Sequence, residues 1–322
     1  MLHEIYMRRC LELALHGQLH AAPNPMVGAV IVAQGRIIGE GYHACCGKAH
    51  AEVNAINSVK PSDRPLLKEA TIYVSLEPCA HYGRTPPCAA LIIHTGIPHV
   101  VVGCVDPFAK VHGQGIDMLR QAGVEVTVGV LEKECRRLNR RFITAQTRRR
   151  PYITLKWARS ADGFIDRWRD NADEAPARLS TPWSLQHVHK LRALSQAILV
   201  GHHTLTLDRP SLTVRHWAGA QPIRVILGRV AEGELPASFL AFADIDTALA
   251  ALNRSGVQSL LVEGGAETLQ SFINRGLWDE AWVELSDKRL ESGVPEPKMP
   301  SGICLTPVQA FGATLLHYDN EE

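Results

Sequence analysis

The stretches His50-Ala51-Glu52 and Glu77-Pro78-Cys79-Ala80-His81-Tyr82-Gly83-Arg84-Thr85-Pro86-Pro87-Cys88 decide how the first half of this chain is read. His50 opens a run to Ser58 with a helical apolar pattern, and Cys88 opens another to His94. One imidazole and two thiolates fill three positions of a tetrahedral Zn²⁺ and leave the fourth to water, which is the arrangement of a catalytic site. Glu52 stands two residues beyond the histidine, so it can reach that water without being a ligand. The pattern predicts one Zn²⁺ per chain on His50, Cys79 and Cys88, with Glu52 as the catalytic proton carrier. A lone His-x-Glu carries almost no information; the weight rests on four residues that agree, with a proline ahead of each thiol. Cys10, Cys104, Cys135 and Cys304 lack such company and read as small buried apolar residues.

This is the logic of a hydrolytic deaminase, in which the metal acidifies a water and a non-ligand Glu carries protons to the leaving ammonia. Eight residues separate the thiols, which departs from the Cys-x-x-Cys of common cytidine and adenosine deaminases. Two other readings remain open on the residues alone. A deaminase acting on a free base, a nucleoside or tRNA would call, in the last case, for a basic stripe with exposed aromatics. A zinc-stabilised binding module needs four protein ligands, and His81 is the residue that could close the set.

Composition narrows the field. At 322 residues and 46% apolar, the chain can fill two ordinary cores. Lys plus Arg number 34 against 33 Asp plus Glu, so there is no general field for nucleic acid or an anionic membrane, and no partner of either kind is expected. No apolar run approaches the ~18 residues that a bilayer needs, and Met1 to Arg9 lacks the apolar centre of a secretory signal. The eight cysteines, two of them adjacent at Cys45-Cys46, suit a reduced cytoplasmic protein better than a disulfide scaffold.

Both halves alternate strand-like and helical runs, the pattern of α/β layers. The first half, expected to have a largely parallel sheet, reads as a hairpin around Gln34-Gly35, strands at 71–76, 99–104 and 124–128, and helices at 50–58, 88–94, 115–121 and from 131 onward. Arg148-Arg149-Arg150-Pro151 disfavours continued helix and sets the expected boundary, giving domains 1–147 and 148–322. The second half reads as strands at 152–157, 197–200, 224–227 and 259–262. Its helices are expected at 182–193, with Thr181 as N-cap and Pro182 first, and at 267–274. It has no Gly-x-Gly-x-x-Gly, and Gly264-Gly265 fits either a phosphate-binding helix start or a tight turn.

Longer motifs carry a family resemblance. Pro23-Asn24-Pro25-Met26-Val27-Gly28, His43, Gly47-Lys48-Ala49-His50-Ala51-Glu52 and the loop from Glu77 to Cys88 resemble the deaminase half of the RibD family of riboflavin biosynthesis. Leu155 to Gly163, Leu191-Arg192-Ala193, Thr204 to Arg215 and Val262-Glu263-Gly264-Gly265 resemble its reductase half. The resemblance implies a cytidine-deaminase-like α/β/α zinc domain followed by a dihydrofolate-reductase-like α/β domain. It implies a zinc hydrolase that deaminates 2,5-diamino-6-ribosylamino-4(3H)-pyrimidinone 5′-phosphate and an NADPH-dependent oxidoreductase that turns its ribosyl chain into ribityl. By the same resemblance Asn24, His43, Lys48, His81, Arg84 and Thr85 frame the small phosphorylated pyrimidine. Thr204, Asp208, Gly264 and Gly265 lie near NADPH, and Lys156, Arg192, Leu212, Arg215 and Glu263 near the reductase substrate. A homo-oligomer, dimer or tetramer, is expected. The chain departs from the family pattern at Phe108, Pro176, Arg178 and Arg209 and in the proline-rich stretch 287–300, so a deaminase with a disabled reductase is the alternative.

Overall fold

A computed structural model describes residues 2–81, 86–107, 113–231 and 233–320. The chain divides into two compact units, Met1–Arg148 and Arg149–Glu322, both α/β.

The first unit runs α1 (Leu2–Leu15), β1 (Gly28–Ala33), β2 (Arg36–Tyr42), α2 (Ala51–Ser58), a 3₁₀ turn (Pro61–Glu69), β3 (Thr71–Leu76), α3 (Cys88–Thr95), β4 (His99–Cys104), α4 (Gln114–Gln121), β5 (Glu125–Val128), α5 (Glu132–Leu138) and α6 (Arg140–Thr147). The sheet order is β2-β1-β3-β4-β5. Only β3, β4 and β5 run parallel; β1 is antiparallel to both β2 and β3, so the sheet is mixed rather than largely parallel. The Gln34-Gly35 turn, with two positive φ values, reverses the chain within two residues and makes the β1–β2 pair antiparallel, while the antiparallel β1–β3 pair is set by tertiary packing.

Alternation along the strands makes three layers. Ala29, Ile31 and Ala33 of β1, with Ile72 and Val74 of β3, face Ala51, Ala55, Ile92, Ile116 and Leu119 from α2, α3 and α4. Val30, Val32 and Tyr73 face the other way, onto Met7, Cys10 and Leu13 of α1 and Cys135 of α5. The single helix expected from residue 131 is broken at Asn139. That buried side chain accepts from Met26 N at 2.8 Å and donates to Met26 O at 2.9 Å, which fixes the segment leading into β1.

The second unit runs β6 (Tyr152–Arg159), β7 (Phe164–Asp166), α7 (Ser184–Ala193), β8 (Ala197–Gly201), α8 (His202–Asp208), β9 (Ile223–Leu227), β10 (Phe239–Phe242), α9 (Ile245–Arg254), β11 (Ser259–Val262), α10 (Ala266–Asn274), β12 (Glu280–Leu285), β13 (Val294–Pro295), β14 (Cys304–Ala310) and β15 (Ala313–Asp319). Its main sheet has the order β10-β9-β8-β11-β6-β12-β15-β14, with the last two strands antiparallel. The helix expected at Pro182 starts instead at Ser184, while Thr181 Oγ1 still accepts from Ser184 N at 3.1 Å in the manner of a cap. The β14–β15 hairpin turns at Phe311-Gly312, both at positive φ, just beyond the proline-rich stretch.

Candidate active site

In the first unit, two helix starts meet the carboxyl end of β3. His50 is the residue before α2, Cys88 is the first residue of α3, and Cys79 lies in the segment leaving β3. A helix start favours thiolate because its free N–H groups present positive charge. Cys88 N donates to Cys79 Sγ at 3.3 Å, an instance of that effect. His50 Nδ1 lies 3.7 Å from Cys79 Sγ and 3.3 Å from Cys88 Sγ, and the three donor atoms all fall within 4.8 Å of one another. Bonds of Zn–S and Zn–N length at tetrahedral angles place ligand atoms about 3.5–3.8 Å apart, so this triangle fits Zn²⁺ with a fourth position left over. His81 is not among the cluster's ligands. The Cys79 thiol is drawn well below its ordinary value by its hydrogen bond with the Cys88 thiol and then by His50, while the same contact pushes Cys88 up. Glu52, in the first turn of α2, is 3% exposed, and burial pushes its carboxyl up to about 7.

Four of the six residues expected to frame the substrate, Asn24, His43, Lys48 and His81, lie among the described residues. His43 is buried; its Nδ1 donates to Ala49 O at 3.1 Å, which leaves Nε2 to accept from Asn24 Nδ2 at 3.1 Å. The His43 ring meets His50 edge-on at 5.4 Å, and burial lowers its pKa, so a neutral His43 braces the helix start that carries the ligand. Lys48 and His81 are exposed beside the site. Arg84 and Thr85 lie outside the described residues.

Sequence reasoning missed Glu77. Its buried carboxylate accepts from Asp106 N (3.1 Å) and Gly113 N (3.0 Å) on Oε2, and from Gly115 N (2.9 Å) and Ile116 N (3.4 Å) on Oε1. One side chain thus ties the end of β3 to the start of α4. Gly115 is required by that approach, since a Cβ there would lie 1.9 Å from Pro78 O. The available signal was an acid standing next to Pro78 at the end of an apolar strand.

In the second unit a cavity of about 800 Å³ opens at the carboxyl ends of β6, β8 and β11. Of the residues expected near NADPH, Thr204, Asp208, Gly264 and Gly265 all line it; of those expected near substrate, Lys156 and Glu263 do. A Cβ on Gly264 would meet Thr268 Cβ at 2.7 Å, so the turn needs glycine for packing, whereas Gly265 is free to leave its amide bare at the start of α10. The volume and this cradle fit a dinucleotide. Arg192 does not line the cavity: its Nε and NH2 pair bidentately with Glu263 at 2.9 and 2.6 Å. Burial pushes the Glu263 carboxyl up, but Arg192 outweighs it and the net pKa is below the ordinary range. Burial lowers Lys156, opposed by Glu263 and Glu284. Leu212 is 2% exposed in an apolar cluster with Leu191, Ile198 and Val200, and Arg215 donates to Ser211 Oγ and Thr213 Oγ1; neither lines the cavity. Asp208 is held by Arg169 at 2.5 Å, a partner that the sequence did not suggest.

Both units match families of known proteins. The family model for the RibD C-terminal domain matches residues 151–285, and that for the cytidine and deoxycytidylate deaminase zinc-binding region matches residues 1–104. The riboflavin biosynthesis protein RibD of Aquifex aeolicus is 39% identical over 91% of this chain and 90% of its own length. The chain belongs to the RibD family. RibD of Escherichia coli is 33% identical over 95% of this chain and 92% of that protein. A diaminohydroxyphosphoribosylaminopyrimidine deaminase/5-amino-6-(5-phosphoribosylamino)uracil reductase from Thermotoga maritima superposes with TM-score 0.87 at 33% identity, covering 99% of this chain and 98% of that one. RibD of Acinetobacter baumannii gives 0.86 at 30% identity, covering 100% and 99%. RibD is a bifunctional deaminase and reductase of riboflavin biosynthesis, and both halves are present, the first with its zinc site and the second with its NADPH-using domain.

Proposed function

We propose that the first unit hydrolyses the amino group of 2,5-diamino-6-ribosylamino-4(3H)-pyrimidinone 5′-phosphate and that the second reduces the ribosyl chain of the product. The observation that carries this reading is the His50, Cys79 and Cys88 triangle beside a buried, non-ligating Glu52. Zn²⁺ held on these three residues supplies an acidified water. Glu52 takes the proton from that water and delivers it to the amino nitrogen, so water is consumed, ammonia leaves and a carbonyl remains. A carboxyl pushed up to about 7 suits that exchange, since it both accepts and returns a proton near neutrality. Asn24, His43 and Lys48 form one wall of the pyrimidine site and His81 faces the ring or its phosphate, a role that the family resemblance also gives to Arg84 and Thr85.

In the second unit, Gly264, Gly265, Thr204 and Asp208 hold NADPH, which supplies a hydride. Lys156 and Glu263 would flank the sugar carbon that NADPH, once bound, would reduce as the ribosyl ring opens to ribityl. Arg192 orients Glu263 from behind rather than facing the ligand. The test is a two-step assay on the pyrimidinone phosphate, following ammonia first and NADPH absorbance second. Ammonia release without metal, or none with it, refutes the first half. A second reading, a working deaminase with a silent reductase, is favoured by the Arg169–Asp208 pair, which occupies an acid assigned to the cofactor; normal ammonia release with no NADPH oxidation would establish it. Family membership supports a cytoplasmic homo-oligomer, dimer or tetramer, and a single 35.4 kDa species in sedimentation would refute the oligomer.

A further inference from the structure

A smaller cavity of about 410 Å³ adjoins the large one in the second unit, and the two share Arg167, Pro176, Ala177, Arg178 and Leu179 in their walls. Arg167 and Arg178 come from the segment between β7 and α7, while Lys288 and Arg289 come from the segment after β12. These four cations are joined by no carboxylate among the lining residues. Two acids close to these segments, Asp166 and Asp162, are engaged by other donors. Asp166 accepts from Arg169 Nε at 2.8 Å and Ala177 N at 2.7 Å, and Asp162 accepts from Leu290 N at 3.2 Å and Glu291 N at 2.8 Å. Lys288 Nζ also donates to Arg178 O, which draws the two segments together.

In a chain of net charge +1 this concentration of one sign is local. Four like charges around one void repel one another, and a dianion placed among them relieves that repulsion. Guanidinium forks match phosphate oxygens in pairs. The arginines that the family resemblance assigns to substrate do not line the large cavity: Arg192 is paired with Glu263, and Arg215 bonds two hydroxyls.

We propose that Arg167, Arg178, Lys288 and Arg289 form a phosphomonoester subsite at the edge of the reductase cavity. It rests on the reading that this cavity takes NADPH and a phosphorylated aminouracil, and each of those carries one phosphomonoester, the cofactor's 2′-phosphate or the substrate's 5′-phosphate. The test is calorimetric titration of the full, zinc-loaded chain and of Arg178→Ala/Arg289→Ala with four probes: NADPH, NADH, the aminouracil phosphate and its dephosphorylated form. Loss of charge-assisted contacts weakens the phosphorylated ligand by about tenfold or more and leaves its unphosphorylated counterpart unchanged. Weakening of NADPH but not NADH assigns the 2′-phosphate; weakening of the aminouracil phosphate but not the nucleoside assigns the 5′-phosphate. Arg178→Glu deepens the same loss, and added salt narrows the gap between wild type and variants. Equal affinities of variant and wild type for both phosphorylated ligands overturn the subsite alone. Wild-type protein that binds neither overturns the underlying reading and the subsite with it. Unchanged ammonia release by the variants shows that the chain is intact.

Discussion

In the first unit three donor atoms fall within 4.8 Å of one another, set by two helix starts and one strand end, whereas in the second the polar side chains are spread around some 800 Å³. The difference reflects what each site must do. A metal requires a fixed polyhedron, so its ligands are set at helix starts and a strand end and braced by neighbours such as His43. Two large ligands would require room and several separate anchors, and the residues lining this cavity come from elements as separate as β6, α8 and the turn after β11.

The comparison breaks most directly at the thiols. Cys79→Ser or Cys88→Ser is expected to abolish ammonia release and reduce zinc content from one per chain towards none, because a neutral hydroxyl is a far poorer ligand than thiolate. Metal analysis beside the ammonia assay checks both, and a serine variant that keeps its zinc would show that the triangle is not the metal site. Glu52→Gln comes next: zinc stays at one per chain while the deamination rate falls by about 10²–10⁴-fold, the usual worth of a positioned proton carrier. Loss of metal in that variant would make Glu52 a ligand instead.

Two smaller effects sharpen the contrast. Gly265→Val is expected to weaken NADPH by roughly tenfold or more through blocked approach, with the fold kept, since a Cβ there meets only Thr204 Oγ1 at 3.5 Å. Gly264→Ala, by contrast, should lower the melting temperature because its Cβ collides with Thr268. If both variants melt alike and both bind NADPH normally, the turn is packing and nothing more. Glu77→Gln puts an amide donor among backbone donors and should destabilise the first unit by about 1–3 kcal/mol, read as an earlier thermal transition. An unshifted transition would mean that α4 does not depend on that carboxylate.

How much was legible follows from the same contrast. His50, Glu52, Cys79 and Cys88 were readable because a metal site writes several chemically unusual residues at short, stereotyped distances, and the helices they open also follow from local pattern. The β14–β15 hairpin and α1 were not read: the first follows a proline-rich stretch, and α1 buries Met7, Cys10, Leu13 and Ala14 while Leu2, Ile5 and Leu15 stay exposed, which blurs its apolar stripe. The parallel or antiparallel sense of β1 is a tertiary choice that the alternation of apolar residues leaves open. Glu77, Arg169 and the Arg192–Glu263 pair were invisible because their partners are backbone amides or side chains far along the chain. For Arg192 and Arg215 the resemblance supplied a role, while the side chains' immediate partners could be seen only in three dimensions.

Arg150 bears on how this protein should be cut. Its guanidinium pairs with Asp279 through NH1 at 2.6 Å and NH2 at 2.8 Å, and Asp279 also accepts from Ile153 N at 2.7 Å, all in the interior. The family match begins at residue 151 and ends at 285, so an excised fragment drawn to those limits discards the arginine and also β15, the hydrogen-bonded neighbour of β12. It would carry a buried carboxylate that has lost its guanidinium, a defect of about 3–5 kcal/mol, together with a raw sheet edge open to self-association. A fragment spanning 149–320 keeps the clasp and the hairpin, and its solubility beside the shorter piece would measure how far homology limits fall short of a folding unit.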